Sequence, residues 1–192
     1  MDLPIEKKLV DNVQIEIARL QDNCIETIYS LDPSAVLHGG TAIWRCYGGN
    51  RFSDDIDLYL RNGKRIADVR KNLSFALNKY GVIIVKATVI EKNYERANGS
   101  YMSILTLSTE DFILEKMDAY YSRMYIRDMY DIYHLSNLII SNPRLSKRIC
   151  RFLDNAKSPV DESSLKSIVY AGAAPSFESM VKSIRGHFCE VH

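Results

Sequence analysis

Two aspartates, Asp55 and Asp57, stand at i and i+2 in the run S-D-D-I-D-L-Y-L (residues 53–60), shortly after the pair Gly39-Gly40 and the hydroxyl of Thr41. In an extended strand this spacing turns both carboxylates to one face, while Ile56 and Leu58 turn to the other. Carboxylates so close repel each other and resist ionisation unless a cation lies between them. Mg²⁺ suits the pair: it is hard, prefers oxygen, and is commonly held by one or two carboxylates together with substrate phosphates. An isolated D-x-D is more often two solvated charges at a strand end, and a lone glycine pair is more often a tight turn. Here Gly39 and Gly40 also remove side chains where a strand feeds a helix, so backbone N–H groups can approach an anion and Thr41 can add its hydroxyl. A phosphate cradle beside a metal clamp is what an NTP·Mg²⁺ complex requires.

Holding these groups takes a strand, a turn, a helix and a second strand. "SAVLHGG" reads as a short buried strand ending in the glycine turn. "TAIWRCYGG" is long enough for two helical turns stopped by Gly48 and Gly49, and "DDIDLYL" alternates as a strand. Upstream, Ile5, Leu9, Val13, Ile17, Leu20, Cys24, Ile28 and Leu31 recur every three or four positions, the pattern of one or two amphipathic helices starting near Pro4. Downstream, Asn62-Gly63 makes a turn and the residues from Lys64 to Tyr80 read as a helix closed by Gly81. "VIIVKATVIE" and "YMSILTLS" then read as strands pairing across "KNYERANGS". Beyond Thr109 the texture is helical, with breaks near Asn142-Pro143, Ser158-Pro159 and Ala174-Pro175. The expected fold is α+β: a mixed sheet of about four or five strands flanked by helices, with a helical C-terminal half. Residues 1–108 are expected to form the core with its N-terminal helix, and residues 109–192 a helical region that completes the site.

Composition narrows the partners. The chain has 192 residues, 46% hydrophobic and 26% charged, enough to bury a real core. A formal net charge of +1 excludes a global basic field, so any polyanion must meet a local patch. Residues 1–140 carry 17 basic and 19 acidic side chains against 8 and 5 in residues 141–192, which makes the tail the mildly basic part. Cys24, Cys46, Cys150 and Cys189 lie far apart with no C-x-x-C pair, and they are expected to be reduced thiols. The charged N-terminus is unlike a signal peptide, and no apolar run nears the roughly 18–20 residues that cross a bilayer. A cytoplasmic protein with no membrane partner is the expectation.

The segment from His38 to Leu60 resembles the G-G/S…D-x-D signature of the DNA polymerase β-like nucleotidyltransferases. "GGTAIWRCYGGNRFSDDIDLYL" is similar, more specifically, to the AbiEii family, the nucleotidyltransferase toxins of type IV toxin–antitoxin systems. A second block, "EKMDAYYSRMYIRDMYDIYHL" (residues 115–135), resembles that family's downstream helical motif, a Lys followed by an Arg and then by R-D-x-Y-D. The resemblance implies that Gly39, Gly40 and Thr41 receive the triphosphate of an NTP and that Asp55 and Asp57 hold Mg²⁺. It further implies that Lys116 contacts the nucleotide phosphates and that Asp128, with Asp131, completes the catalytic set. The acceptor it implies is RNA, particularly tRNA, and the partner it implies is a cognate antitoxin. Asp128 and Asp131 are i and i+3 on a helix and so share a face, with Arg127 placed to pair with a carboxylate. Many members of the wider superfamily carry a third carboxylate on a later strand, where this chain offers only Glu91 at a strand end. The general base is therefore open, with Asp128 preferred.

Other residues have simpler readings. His38, His134, Trp44 and Tyr47 are expected to pack, and the tyrosines from Tyr120 to Tyr133 either fill a core or stack on a base. Arg144, Lys147, Arg148 and Arg151 form one helical stripe that is either a solvated face or a surface for RNA phosphate. The same site chemistry also suits transfer to a protein or small-molecule hydroxyl, or a nucleotide-binding regulatory module without catalysis.

Overall fold

A computed structural model describes residues 3–60, 87–140 and 142–190. The chain divides into two compact units, Met1–Ser108 and Thr109–His192. The turn expected at Asn62-Gly63, the helix expected from Lys64 to Gly81 and the first part of the run 82–91 lie outside the described residues.

The first unit opens with a short helix α1 (Ile5–Lys8) and a long helix α2 (Asn12–Leu31). α2 starts where Asp11 accepts the Val13 N–H at 2.8 Å, a side-chain cap for an otherwise unpaired donor. Its buried face is Ala18, Gln21, Cys24, Ile25 and Ile28, three and four residues apart. Val13 and Leu20 belong to the apolar periodicity of the sequence but stay exposed, because Ala18 and Gln21 take the inward positions.

Four strands are described: β1 (Val36–His38), β2 (Asp57–Tyr59), β3 (Val89–Glu95) and β4 (Tyr101–Leu107), in spatial order β2-β1-β4-β3. β1 runs antiparallel to β2 and parallel to β4, and β3 and β4 form an antiparallel pair, so the sheet is mixed and the fold is α+β. The register puts Asp57, Tyr59, His38, Val36, Leu105 and Glu91 on one face; Leu58, Leu37, Thr106 and Ile90 share the other. Helix α3 (Gly39–Cys46) leaves β1 without a linker and packs against β1, β2 and β3.

β3 runs through Lys92–Glu95, residues expected from the sequence to lie in a loop. Tyr94 supplies the reason. It is fully buried, and its hydroxyl lies 3.1 Å from both Arg45 Nε and Asp22 Oδ1, which draws this polar stretch into the sheet. The connection shrinks to residues 96–100, where Gly99 has a φ of +83° and the Arg96 N–H donates to Ser100 O at 2.8 Å.

The second unit contains α4 (Thr109–Arg123), α5 (Ile126–Ser136), α6 (Pro143–Asn155), the short α7 (Leu165–Ile168) and α8 (Phe177–Phe188). Asn142-Pro143 starts a helix as well as ending a segment: Asn142 accepts the Leu145 N–H at 2.9 Å, and Pro143 takes the first helical position. No helix among the described residues is long and apolar enough to cross a membrane.

The expectation of four reduced thiols fails at one pair. Cys150 on α6 and Cys189 just beyond α8 form a disulfide with Cα atoms 5.8 Å apart. Packing of α6 against α8 brings together residues separated by 39 positions, a spacing that no sequence motif marks. In the chain-entropy picture, closing such a loop contributes about 4 kcal/mol. Cys24 and Cys46 remain free, and burial pushes both thiols up, Cys46 to about 12, which leaves them poor nucleophiles.

Candidate active site

β1 ends at His38, whose ring stacks on Tyr59 with centroids 3.8 Å apart, so this histidine packs as expected. The chain then turns at once into α3. Gly39 has a φ of +71°, a left-handed conformation that side chains other than glycine take at a cost. A Cβ on Gly39 would overlap Asp57 Oδ2 and come within 3.0 Å of the Asp57 Cβ and Cγ, so the Asp57 carboxylate lies directly on the Gly39 backbone. At Gly40 a Cβ would stand 2.6 Å from Arg51 Nη2 and 2.7 Å from Ser53 Oγ. The glycines are thus the first two residues of the helix, and their bareness lets the segment 51–57 close over the helix start.

That segment carries the two aspartates differently. β2 begins at Asp57, which is half-buried, whereas Asp55 precedes the strand and is exposed. Asp55 is held by its backbone: the Thr41 hydroxyl, itself buried, donates to the Asp55 carbonyl. Among the described residues neither carboxylate has an ion-pair partner. An unpaired Asp57 carboxylate beside a helix N-terminus, with the exposed Asp55 two residues before it, offers oxygen donors of the type that suits a hard divalent cation and the phosphates that accompany it. Arg51, which no sequence motif singled out, is buried against Gly40, and its Nη1 donates to Phe52 O at 3.2 Å. The hint was there: a lone arginine opening the run R-F-S-D-D.

Glu91 does not supply a third carboxylate. It pairs with Leu105 on β4, so three strand spacings, about 14 Å, separate it from β2. It instead accepts a hydrogen bond from the Ser103 hydroxyl. Among the described residues no three His, Cys, Asp or Glu side chains gather as a metal-binding group.

The helical unit brings together the other three expected residues. Lys116 on α4 is buried, with Nζ 3.0 Å from Asp131 Oδ2 and 3.6 Å from Asp128 Oδ1 on α5. Asp128 is fully buried and also takes a two-pronged contact from Arg123, whose Nε and Nη2 each lie 2.7 Å from a carboxylate oxygen. The i, i+3 spacing does place Asp128 and Asp131 on one face, but their arginine is Arg123. Arg127 lies over the Tyr125 ring at 5.4 Å. Two cations and two anions thus pair here, with both Asp128 oxygens engaged. Of the tyrosines, Tyr120 and Tyr130 are core residues, while Tyr121 and Tyr125 are exposed.

A Gly39→Ala substitution is expected to cost about 1–2 kcal/mol for the left-handed backbone and to displace the Asp57 carboxylate as well. Thermal unfolding reads the first effect. The second should appear as a raised divalent-cation requirement in any activity of the site, and an unchanged requirement would contradict the contact.

The chain matches the family described as "Nucleotidyl transferase AbiEii toxin, Type IV TA system" over residues 27–100 and 88–187. No curated protein matches it. Among solved structures it resembles JHP933 from Helicobacter pylori, at 18% identity and a TM-score of 0.57, covering 92% of this chain and 90% of that one. It also resembles a candidate nucleotidyltransferase from H. pylori, at 18% identity and a TM-score of 0.56, covering 91% and 92%. These two likenesses are of fold. The family match spans most of the chain and takes in both the glycine–aspartate segment and the Lys116 helices, so this chain belongs to the AbiEii family of nucleotidyltransferase toxins.

Proposed function

We propose that the protein transfers NMP from an NTP to an acceptor hydroxyl in a Mg²⁺-dependent reaction, with RNA such as tRNA as the acceptor. The observation that carries this reading is the unpaired Asp57 carboxylate lying on Gly39 at the start of α3, in a chain of this family. Asp55 and Asp57 would hold the cation, and the first N–H groups of α3, left bare by Gly39 and Gly40, would receive the phosphates. Bound there, Mg²⁺ would lower the pKa of the attacking hydroxyl and offset the triphosphate charge. Lys116 would meet charge on the departing pyrophosphate, and Asp128 and Asp131 would hold its ammonium group in place. Thr41 serves this scheme through its hydrogen bond to Asp55. A cognate antitoxin is the partner this family brings with it.

The RNA reading draws on α6. Arg144, Lys147, Arg148 and Arg151 lie on this helix opposite the buried Leu145, Ile149, Phe152 and Leu153. Such a stripe suits a phosphate backbone, and removing one basic side chain from it should flatten the log–log salt slope by about 0.7 for a single strand. Incubation with α-labelled NTPs, total RNA and total protein tests the proposal. Label on RNA is expected, and the double variant Lys147→Glu/Arg148→Glu should raise the apparent KM for RNA while leaving that for NTP unchanged. Label on protein would move the acceptor to a protein hydroxyl, and NTP left unconsumed with no label on either fraction would overturn the transferase reading.

A further inference from the structure

Gln21 lies on the buried face of α2, outside both sequence blocks that carry the family resemblance, and it is 3% exposed. Its Nε2 donates to the Ser53 carbonyl at 2.8 Å and approaches Thr41 Oγ1 at 3.4 Å. Thr41 in turn donates to the Asp55 carbonyl. One amide group therefore grips the aspartate segment directly at Ser53 and, through Thr41, two residues further on at Asp55. Its orientation follows from these partners, since the reverse flip would set Oε1 against the Ser53 carbonyl.

The other end of the amide has a different fate. Among the described residues, Gln21 Oε1 is buried with no hydrogen-bond partner. A buried acceptor left unsatisfied is a cost to the fold; an apolar side chain of the same length would remove that cost and in exchange leave the Ser53 carbonyl without its donor. The two costs are of the same kind and nearly offset, so what the amide adds over an apolar side chain is the fixed position of the loop.

We propose that Gln21 is a positioning residue for the reaction: it brackets the segment from Ser53 to Asp55 against the start of α3 and so sets where the Asp55 and Asp57 carboxylates stand. The assignment rests on the reading of those two aspartates as the cation site. Gln21 touches neither nucleotide nor cation. It acts through two backbone carbonyls, which lets a side chain on a distant helix govern the spacing of the two carboxylates.

Gln21→Met keeps the length and volume of the side chain while removing both the donor and the orphaned acceptor, which makes it the decisive variant. The melting temperature is expected to stay within a few degrees of the parent. Hydrogen exchange of the amides from Asp54 to Asp57 should accelerate at least tenfold, with exchange in β4 unchanged. In the transfer assay kcat should fall at least tenfold and the half-saturating Mg²⁺ concentration should rise severalfold, with little change in KM for the NTP. A side chain that merely filled space would move neither the exchange, nor kcat, nor the Mg²⁺ requirement. Unchanged exchange across residues 54–57, or unchanged Mg²⁺ dependence in an active enzyme, overturns the bracket. If the parent protein transfers no nucleotide while exchange still accelerates in the variant, the bracket stands and the reading of the aspartates falls.

Discussion

Asp57→Asn is expected to abolish nucleotidyl transfer, by about 10³-fold or more, while leaving the melting temperature within a few degrees of the parent protein. A loss of that size corresponds to about 4 kcal/mol of transition-state stabilisation, the scale of removing a charge that acts on the reacting phosphates. The reasoning starts from what Asp57 lacks. Among the described residues it has no ion-pair partner, so neutralising it breaks no salt bridge in the fold. Asparagine keeps the shape that fits against Gly39, where the Asp57 carboxylate already rests on the backbone. Transfer measured with labelled NTP, together with a thermal melt, checks both halves. Near-normal transfer would remove Asp57 from the cation site, and a collapsed melt would make it structural.

Asp128→Ala should do the opposite and destabilise the helical unit by about 3–5 kcal/mol, the usual cost of breaking a buried ion pair from one side. The carboxylate is fully buried and answers two cations, Arg123 through both oxygens and Lys116 at 3.6 Å. Its loss leaves Lys116 in the interior with Asp131 alone and returns Arg123, which is partly exposed, toward water. For a chain of this size the expected fall in melting temperature is on the order of 10 °C. Because Lys116 shares the network, a Lys116→Met/Asp128→Ala double variant should lose less than the sum of the single losses. Additive losses, or an Asp128→Ala melt lowered by only a degree or two, would show that the network contributes little.

These two aspartates look alike in the sequence, and their different surroundings come from neighbours that the sequence does not place. The D-x-D spacing announced two carboxylates and a candidate cation site, and the glycine pair announced a close approach to a helix start, because both features are local. The R-D-x-x-D helix announced a shared face for Asp128 and Asp131 by the same local logic. Whether such a face is solvated or buried depends on what packs on it, and α4 brings Lys116 and Arg123 there. The extent of β3 also escaped local reading, since Lys92–Glu95 joins the sheet through Tyr94, whose partners Asp22 and Arg45 come from α2 and α3.

By itself the sequence determined the α+β class, the glycine–aspartate segment as candidate cation site and the family, because each rests on residue types at short fixed spacings, where backbone geometry alone sets the outcome. Only the tertiary structure decided that Glu91 stands three strands from Asp57, that Cys150 and Cys189 meet, and that Gln21 grips the segment carrying Asp55. Those facts depend on strand order and helix packing, which join residues tens of positions apart through contacts that no spacing along the chain encodes.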